Sequence, residues 1–123
     1  MGETSITDRN RRFGGIARLY GAAALERFGR SRGCVVGVGG VGSWAVEALA
    51  RSGIGNLLLI DLDHIAESNV NRQIQALEPD FGKAKVQALK ERIGHIDAAI
   101  RVDTLECFAE PDNLSQVIAP DLD

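Results

Sequence analysis

An apolar run, Cys34 to Val38, carries the backbone into the glycine-rich stretch Gly37-Val38-Gly39-Gly40-Val41-Gly42. A second apolar run, Asn56 to Ile60, ends in Asp61 about twenty residues later. No other part of the chain constrains the fold as tightly. Residues without a Cβ let the main chain approach a phosphate closely, and a helix opening behind such a turn presents unbonded N–H groups and the positive end of its dipole. A carboxylate at that distance suits ribose hydroxyls. The layout predicts a nucleotide-binding βαβ unit, with Gly37, Gly39, Gly40 and Gly42 at the turn and Asp61 at the sugar. The competing interpretation of Asp61 is a solvated carboxylate closing a strand.

The rest of the pattern extends that unit to an α/β, Rossmann-like three-layer fold with a mainly parallel sheet preceded by a helix. Residues 1–10 are polar and aperiodic and are expected to form a flexible tail, ahead of a domain portion covering 11–123. Ile16, Leu19, Tyr20, Ala23, Ala24 and Phe28 recur at helical spacing, with Gly29 as a C-cap. Behind the glycine turn, Val41, Trp44, Ala45, Ala48 and Leu49 form one stripe that ends at Gly53, and core packing is the expectation for Trp44. Asn56 to Ile60 is the second predicted strand, with a continuous apolar core suited to a parallel sheet covered on both faces. Asp63 to Asp80 is a long polar connection closed by Pro79, and a segment of that length inside a compact domain usually has a task. Val86, Leu89, Ile93 and Ile96 predict a helix over Lys83 to Ile96. Ile100 to Leu105 predicts a third strand, and Pro111 opens a short helix toward Ile118. Three strands under-fill such a sheet, so the chain is expected to be the N-terminal part of a longer domain.

With a net charge of −3 there is no bulk attraction to nucleic acid, so contact with it requires a local patch. Arg9, Arg11, Arg12, Arg18, Arg27, Arg30 and Arg32 concentrate positive charge in the first third, suiting either nucleic-acid phosphates or a subunit interface. No apolar run is long enough to span a bilayer. Cys34 and Cys107 belong to no C-x-x-C pair, which argues against a disulfide framework or zinc site and for a cytoplasmic protein with reduced thiols.

A dinucleotide needs little positive charge beyond a helix terminus, whereas a triphosphate calls for cations as well. Arg72, with its planar fork, and Lys85, a point charge at the head of the next helix, can supply them. A solvated helix face is the alternative for Lys83, Lys85 and Lys90. His64 is expected to be a surface loop residue, and His95 a structural one at a helix end.

The turn, Asp61-Leu62-Asp63, Ser68-Asn69-Val70-Asn71-Arg72-Gln73 and Gly82-Lys83-Ala84-Lys85 together resemble the ThiF/MoeB/HesA superfamily, adenylating proteins related to ubiquitin-activating enzymes. Arg12-Phe13-Gly14-Gly15-Ile16-Ala17-Arg18-Leu19-Tyr20-Gly21 and the stretch from Gly40 to Gly55 further resemble its tRNA threonylcarbamoyladenosine dehydratase branch. The resemblance implies ATP-dependent carboxylate activation. Gly40 would lie against the nucleotide, Asp61 and Asp63 near the ribose end, and Asn69, Arg72, Gln73 and Lys85 at or around the phosphates. Arg18, with Arg12 as its rival, would reach the triphosphate of a partner subunit in a homodimer. Arg72, Lys85 and Arg18 are thus the candidate catalytic residues, acting by orientation and charge neutralisation, since a carboxylate needs no general base. The implied Mg2+ ligand is an aspartate expected beyond Asp123, and neither Asp121 nor Asp123 stands in for it. The expected substrate is tRNA. Alternatives are the C-terminus of a ubiquitin-like sulfur-carrier protein, an NAD-dependent oxidoreductase, and a non-catalytic nucleotide-sensing module.

Overall fold

The computed structural model describes residues 2–118 and 120–123. Helices α1 (Gly2–Tyr20) and α2 (Ala22–Arg30) precede β1 (Arg32–Val36), followed by α3 (Gly42–Arg51), β2 (Asn56–Ile60), α4 (Lys85–Ile96), β3 (Arg101–Leu105) and the single turn α5 (Leu114–Val117). All three strands are parallel in the order β1-β2-β3, in a register that pairs Val36 with Ile60 and Ile60 with Leu105. Crossovers in that order are right-handed as a rule and put α3 and α4 on the same face of the sheet. Val46 and Ala50 of α3 and Val86, Leu89 and Ile93 of α4 accordingly share one core with Leu57, Leu59 and Val102. Each fully buried aliphatic side chain there contributes roughly 1.5–3 kcal/mol.

The amino-terminal region departs from the sequence reading. Helix α1 begins at Gly2, so the stretch expected as a tail supplies its first turns, and Met1 lies outside the described residues. Polar residues give no periodic signal, yet Arg9 is drawn inward. Its Nη2 donates to the carbonyls of Leu25 (3.1 Å) and Gly53 (2.6 Å), and its guanidinium lies 5.1 Å from the centre of the buried Phe13 ring. The single helix expected from Ile16 to Phe28 is broken at Gly21, where φ is +96°, and Gly29 lies inside α2 instead of capping it.

Helix α3 is rotated relative to its apolar stripe. Ser43, Val46, Glu47 and Ala50 are buried, while Val41 and Trp44 are exposed. The rotation is set at Gly42, where a Cβ would collide with the carbonyl oxygen of Gly37, so the helix starts flush against the end of β1. Glu47, only 8% exposed, accepts from Arg51 Nε (2.6 Å) and from Arg92 Nε (2.7 Å) and Nη2 (3.2 Å), joining α3 to α4. Burial pushes its carboxyl upward, but the hydrogen bonds and charges of Arg92 and Arg51 outweigh that and hold it below the usual carboxylate range.

The Asp63–Asp80 connection is compact. It holds two 3-10 turns, Glu67–Asn71 and Glu78–Asp80, and a small core of Ile65, Ala76 and Ala88 against Phe81. Lys83 sits ahead of α4, bound to Asp80 (3.0 Å) and Glu91 (2.9 Å).

Two outcomes are expected. Gly42→Ala lowers stability by about 3 kcal/mol or more by denaturant titration, because backbone blocks the new methyl, whereas Gly40→Ala, whose methyl would meet only the flexible Arg72 stem, changes it by roughly 0.5 kcal/mol or less. Glu47→Gln costs about 1–2 kcal/mol at pH 7, less than a fully buried pair because Arg51 is largely exposed. Since the folded carboxyl is depressed, the contribution of Glu47 is complete above the ordinary value of 4.5 and fades as pH falls below it, so wild type and variant converge in acid.

Candidate functional site

The carboxyl ends of β1 and β2 converge on one group. Asp61 follows β2, and its Oδ2 accepts the N–H of Val38 (2.8 Å) while its Oδ1 accepts the N–H of Asp63 (2.9 Å). Its own N–H donates to Leu105 at the end of β3 (3.1 Å). The glycine turn is therefore fastened to the sheet through the carboxylate expected at the sugar. Two of the four lone-pair positions on that carboxylate are used, leaving acceptor capacity toward solvent.

From there the turn enters α3. Gly37 holds the last sheet hydrogen bond, to Ile60 (2.8 Å), at a φ of +83°. Ser43, fully buried, clamps the turn: its N–H and Oγ both donate to Gly39 O, at 3.1 and 2.5 Å. Helix α3 has no side-chain cap, and no acceptor among the described residues takes the N–H of Gly39, Gly40, Val41 or Gly42. Such a concave run of unbonded donors at a helix start is an anion cradle.

The connecting loop supplies the surroundings. Asn69 is buried, its Oδ1 accepting from Ala66 N (2.9 Å), so it shapes the 3-10 turn that carries Arg72. The Arg72 stem lies across Gly40, its guanidinium donating to Ser68 O (3.1 Å) and Asn71 Oδ1 (2.9 Å). Trp44 belongs to this layer and not to the core. It is half-exposed, and its indole N–H donates to Arg72 O (2.8 Å). Gln73 is buried with its Nε2 beside Gly39. Lys85 is only 6% exposed; its Nζ has one distant carboxylate, Asp63 at 3.9 Å, and no hydrogen bond among the described residues. A stem buried to this extent with an unbonded ammonium at its tip is directed at something other than the protein.

A cleft of about 210 Å3 opens between Gly37, Asp61 and Asp63 on one side and Cys107, Phe108 and Ala109 on the other. Its volume falls below the ~300–1,000 Å3 typical of sites enclosing a whole ligand, so a larger molecule must extend out of it along the turn. Half-exposed Phe108 offers an aromatic wall. A second cleft, about 240 Å3, lies at the opposite edge of the sheet beside Arg32, Asn56 and Arg101, where Arg32 already binds Asp103 (3.2 Å) and Asp121 (2.8 Å). Ligands of parallel sheets bind at the carboxyl edge, which favours the first cleft.

Gly37, Gly39, Gly40, Gly42, Asp61, Asp63, Asn69, Arg72, Gln73 and Lys85 are thus brought together. Arg18 is not: it ends α1 with its guanidinium over Gly14 and Gly15. Arg12 is committed to the end of α4, donating to Ile96 O (3.2 Å) and Asp97 Oδ1 (3.5 Å). His64 pairs by its backbone with Ala84. Sequence reasoning assigned no role to Ser43, Gln75, Cys107 or Phe108. Position alone signalled two of them: Ser43 follows the last turn glycine, and Phe108 follows the end of β3.

The sequence matches the ThiF family over residues 11–123. It is 52% identical over 108 residues to the tRNA threonylcarbamoyladenosine dehydratase of Escherichia coli (strain K12), covering 88% of this chain and 40% of that protein. It is 33% identical over 104 residues to the molybdopterin-synthase adenylyltransferase of the same organism, covering 85% and 42%. The crystal structure of the E. coli dehydratase in complex with ATP superposes with a TM-score of 0.86 at 52% identity, over 87% of this chain and 44% of that one. The chain spans about two fifths of the length of the curated relatives it matches. By its glycine turn, its Asn69-to-Gln73 loop and its match over 11–123, the chain belongs to the ThiF family.

Proposed function

We propose that the protein uses ATP to adenylate a carboxylate, and that this carboxylate is the threonyl group of threonylcarbamoyladenosine in tRNA. One observation carries the reading: the unbonded N–H groups of Gly39 to Gly42, the guanidinium of Arg72 and the unbonded ammonium of Lys85 meet beside a nucleoside-sized cleft closed by Asp61. Identity supports tRNA over a sulfur-carrier protein, at 52% to a dehydratase against 33% to an adenylyltransferase.

In this reading ATP supplies an electrophilic α-phosphorus and a leaving pyrophosphate. The substrate carboxylate oxygen attacks that phosphorus as its bond to pyrophosphate breaks; a neighbouring group of the modified base then attacks the acyl carbon of the resulting mixed anhydride, losing its proton as the bond from that carbon to the AMP oxygen breaks, so the ring closes and the base has lost the elements of water. Asp61 receives the ribose hydroxyls, Phe108 flanks the base, and the turn holds phosphate oxygens by its N–H groups. Arg72 and Lys85 offset charge as pyrophosphate leaves. In the adenylation step no proton need be removed, because the attacking carboxylate is already ionised. Among the described residues no three His, Cys, Asp or Glu side chains gather as a metal site, and Asp121 and Asp123 are engaged with Arg32; a Mg2+ ion, which would offset charge on the departing pyrophosphate, would be held by neither of them. The protein acts as a homodimer in which Arg18, exposed and free of ion pairs among the described residues, serves the partner's nucleotide; Arg11, Arg18 and Arg27 are the arginines left for a tRNA patch. The described residues contain no helix long and apolar enough to cross a membrane, and a tRNA substrate places the work in the cytoplasm.

Calorimetry with ATP, adenosine and NAD tests the nucleotide. ATP binds in preference to NAD. Arg72→Ala and Lys85→Ala each weaken ATP about 10–100-fold, the value of one charge-assisted hydrogen bond, and leave adenosine unchanged. Asp61→Ala weakens both. Pyrophosphate exchange that depends on carrier protein and ignores modified tRNA would reverse the choice of substrate.

A further inference from the structure

We propose that Gln75 is a positioning residue for the phosphate cradle, setting the Val38–Gly39 peptide and the Gln73 amide so that their N–H groups face the ligand. The inference rests on the reading that the turn holds ATP.

Gln75 is 2% exposed and lies beneath the turn. Its Nε2 donates to Val38 O (2.9 Å) and to Gln73 Oε1 (3.2 Å), while its own Oε1 is buried without a partner. The orientation of the amide follows from the backbone. Val38 O accepts only, so the Gln75 group facing it must be the NH2, and the reverse rotamer would set oxygen against oxygen. That NH2 then faces Gln73 and requires the oxygen of Gln73 on its side. The Gln73 NH2 is thereby turned outward, 3.8 Å from where a Cβ on Gly39 would stand, and no described residue accepts its hydrogens.

The same bond fixes the peptide. No peptide bond among the described residues is cis, so the Gly39 N–H points away from the Val38 carbonyl, and a carbonyl pinned inward by Gln75 directs that N–H outward. Asp61 holds the other side of Val38 through its N–H. Two side chains thus immobilise one residue from both sides, and the two donors at its exit, Gly39 N–H and Gln73 NH2, stand ready without reorganisation on binding. The glutamine buries an unpaired Oε1 to bring its NH2 to Val38 O and Gln73 Oε1, so what it contributes is the orientation of those two groups as well as their hydrogen bonds.

The test uses Gln75→Leu and Gln75→Met, measuring affinity for ATP and adenosine, melting temperature, and the Gly39 amide resonance. The expected result is a folded protein whose melting temperature falls by a few degrees as the Val38 carbonyl loses its donor, with unchanged adenosine affinity, ATP affinity lowered about tenfold, and a displaced Gly39 resonance. A folded variant with an unchanged ATP-to-adenosine ratio overturns the assignment, as does one that loses both ligands equally. If neither variant folds, Gln73→Glu decides: it keeps an acceptor for Gln75 but replaces the outward NH2 by oxygen, so ATP weakens while adenosine does not, and an unchanged ratio overturns the assignment. Wild-type protein that binds neither nucleotide removes the ATP reading itself, and this inference with it.

Discussion

Three strand ends meet at Asp61. Its carboxylate takes the N–H groups of Val38 and Asp63, and its main-chain N–H reaches Leu105, so β1, β2 and β3 are all referenced to a single residue where the chain leaves the sheet. A carboxylate accepting backbone N–H bonds contributes roughly 1.5–3 kcal/mol per bond. The geometric consequence outweighs the energetic one. The glycine turn has few side-chain contacts of its own, and its conformation is imposed by Asp61 from the sheet, Ser43 from the helix and Gln75 from below. The donors of the cradle meet no acceptor among the described residues.

The opposite principle operates between the helices. Glu47 sits where an apolar residue is expected, and two arginines approach it from α3 and α4. An ion pair of this kind adds little stability over a hydrophobic contact, but removing one partner strands the other. Its effect is to fix how α3 is rotated, and that rotation leaves Val41 and Trp44 facing outward above the turn. Trp44 then supports the Arg72 backbone, so the electrostatics of a helix pair reach the site through one indole.

Strand β2 was legible to the residue, Asn56 to Ile60, because a central parallel strand buried on both faces has an uninterrupted apolar signature. The apolar side of α4 was equally plain in Val86, Leu89 and Ile93. The rotation of α3 was not. It depends on contact between Gly42 and Gly37 and on charges forty-five residues apart, 47 to 92, and neither leaves a periodic trace. The start of α1 was hidden for a similar reason, since Arg9 reads as surface until Leu25 and Gly53 supply carbonyls for it. In the site, the turn and the Asn69-to-Gln73 loop carry a motif that sequence can show, and Arg18 carries none. Gln75 was not legible, because an isolated glutamine signals nothing until Val38 O is placed above it.

Residues 121–123 return to the start of β1, where Asp123 N–H donates to Arg32 O (2.8 Å) and Asp123 Oδ2 accepts from Arg32 N (2.9 Å). Up to β3 the chain advances across the sheet in one direction, 1 to 2 to 3, and residues 121–123 then lie back against the first residue of β1. On its inner side β1 pairs with β2, and its carboxyl end leads directly into the glycine turn at Gly37, outside which a parallel sheet receives its ligands.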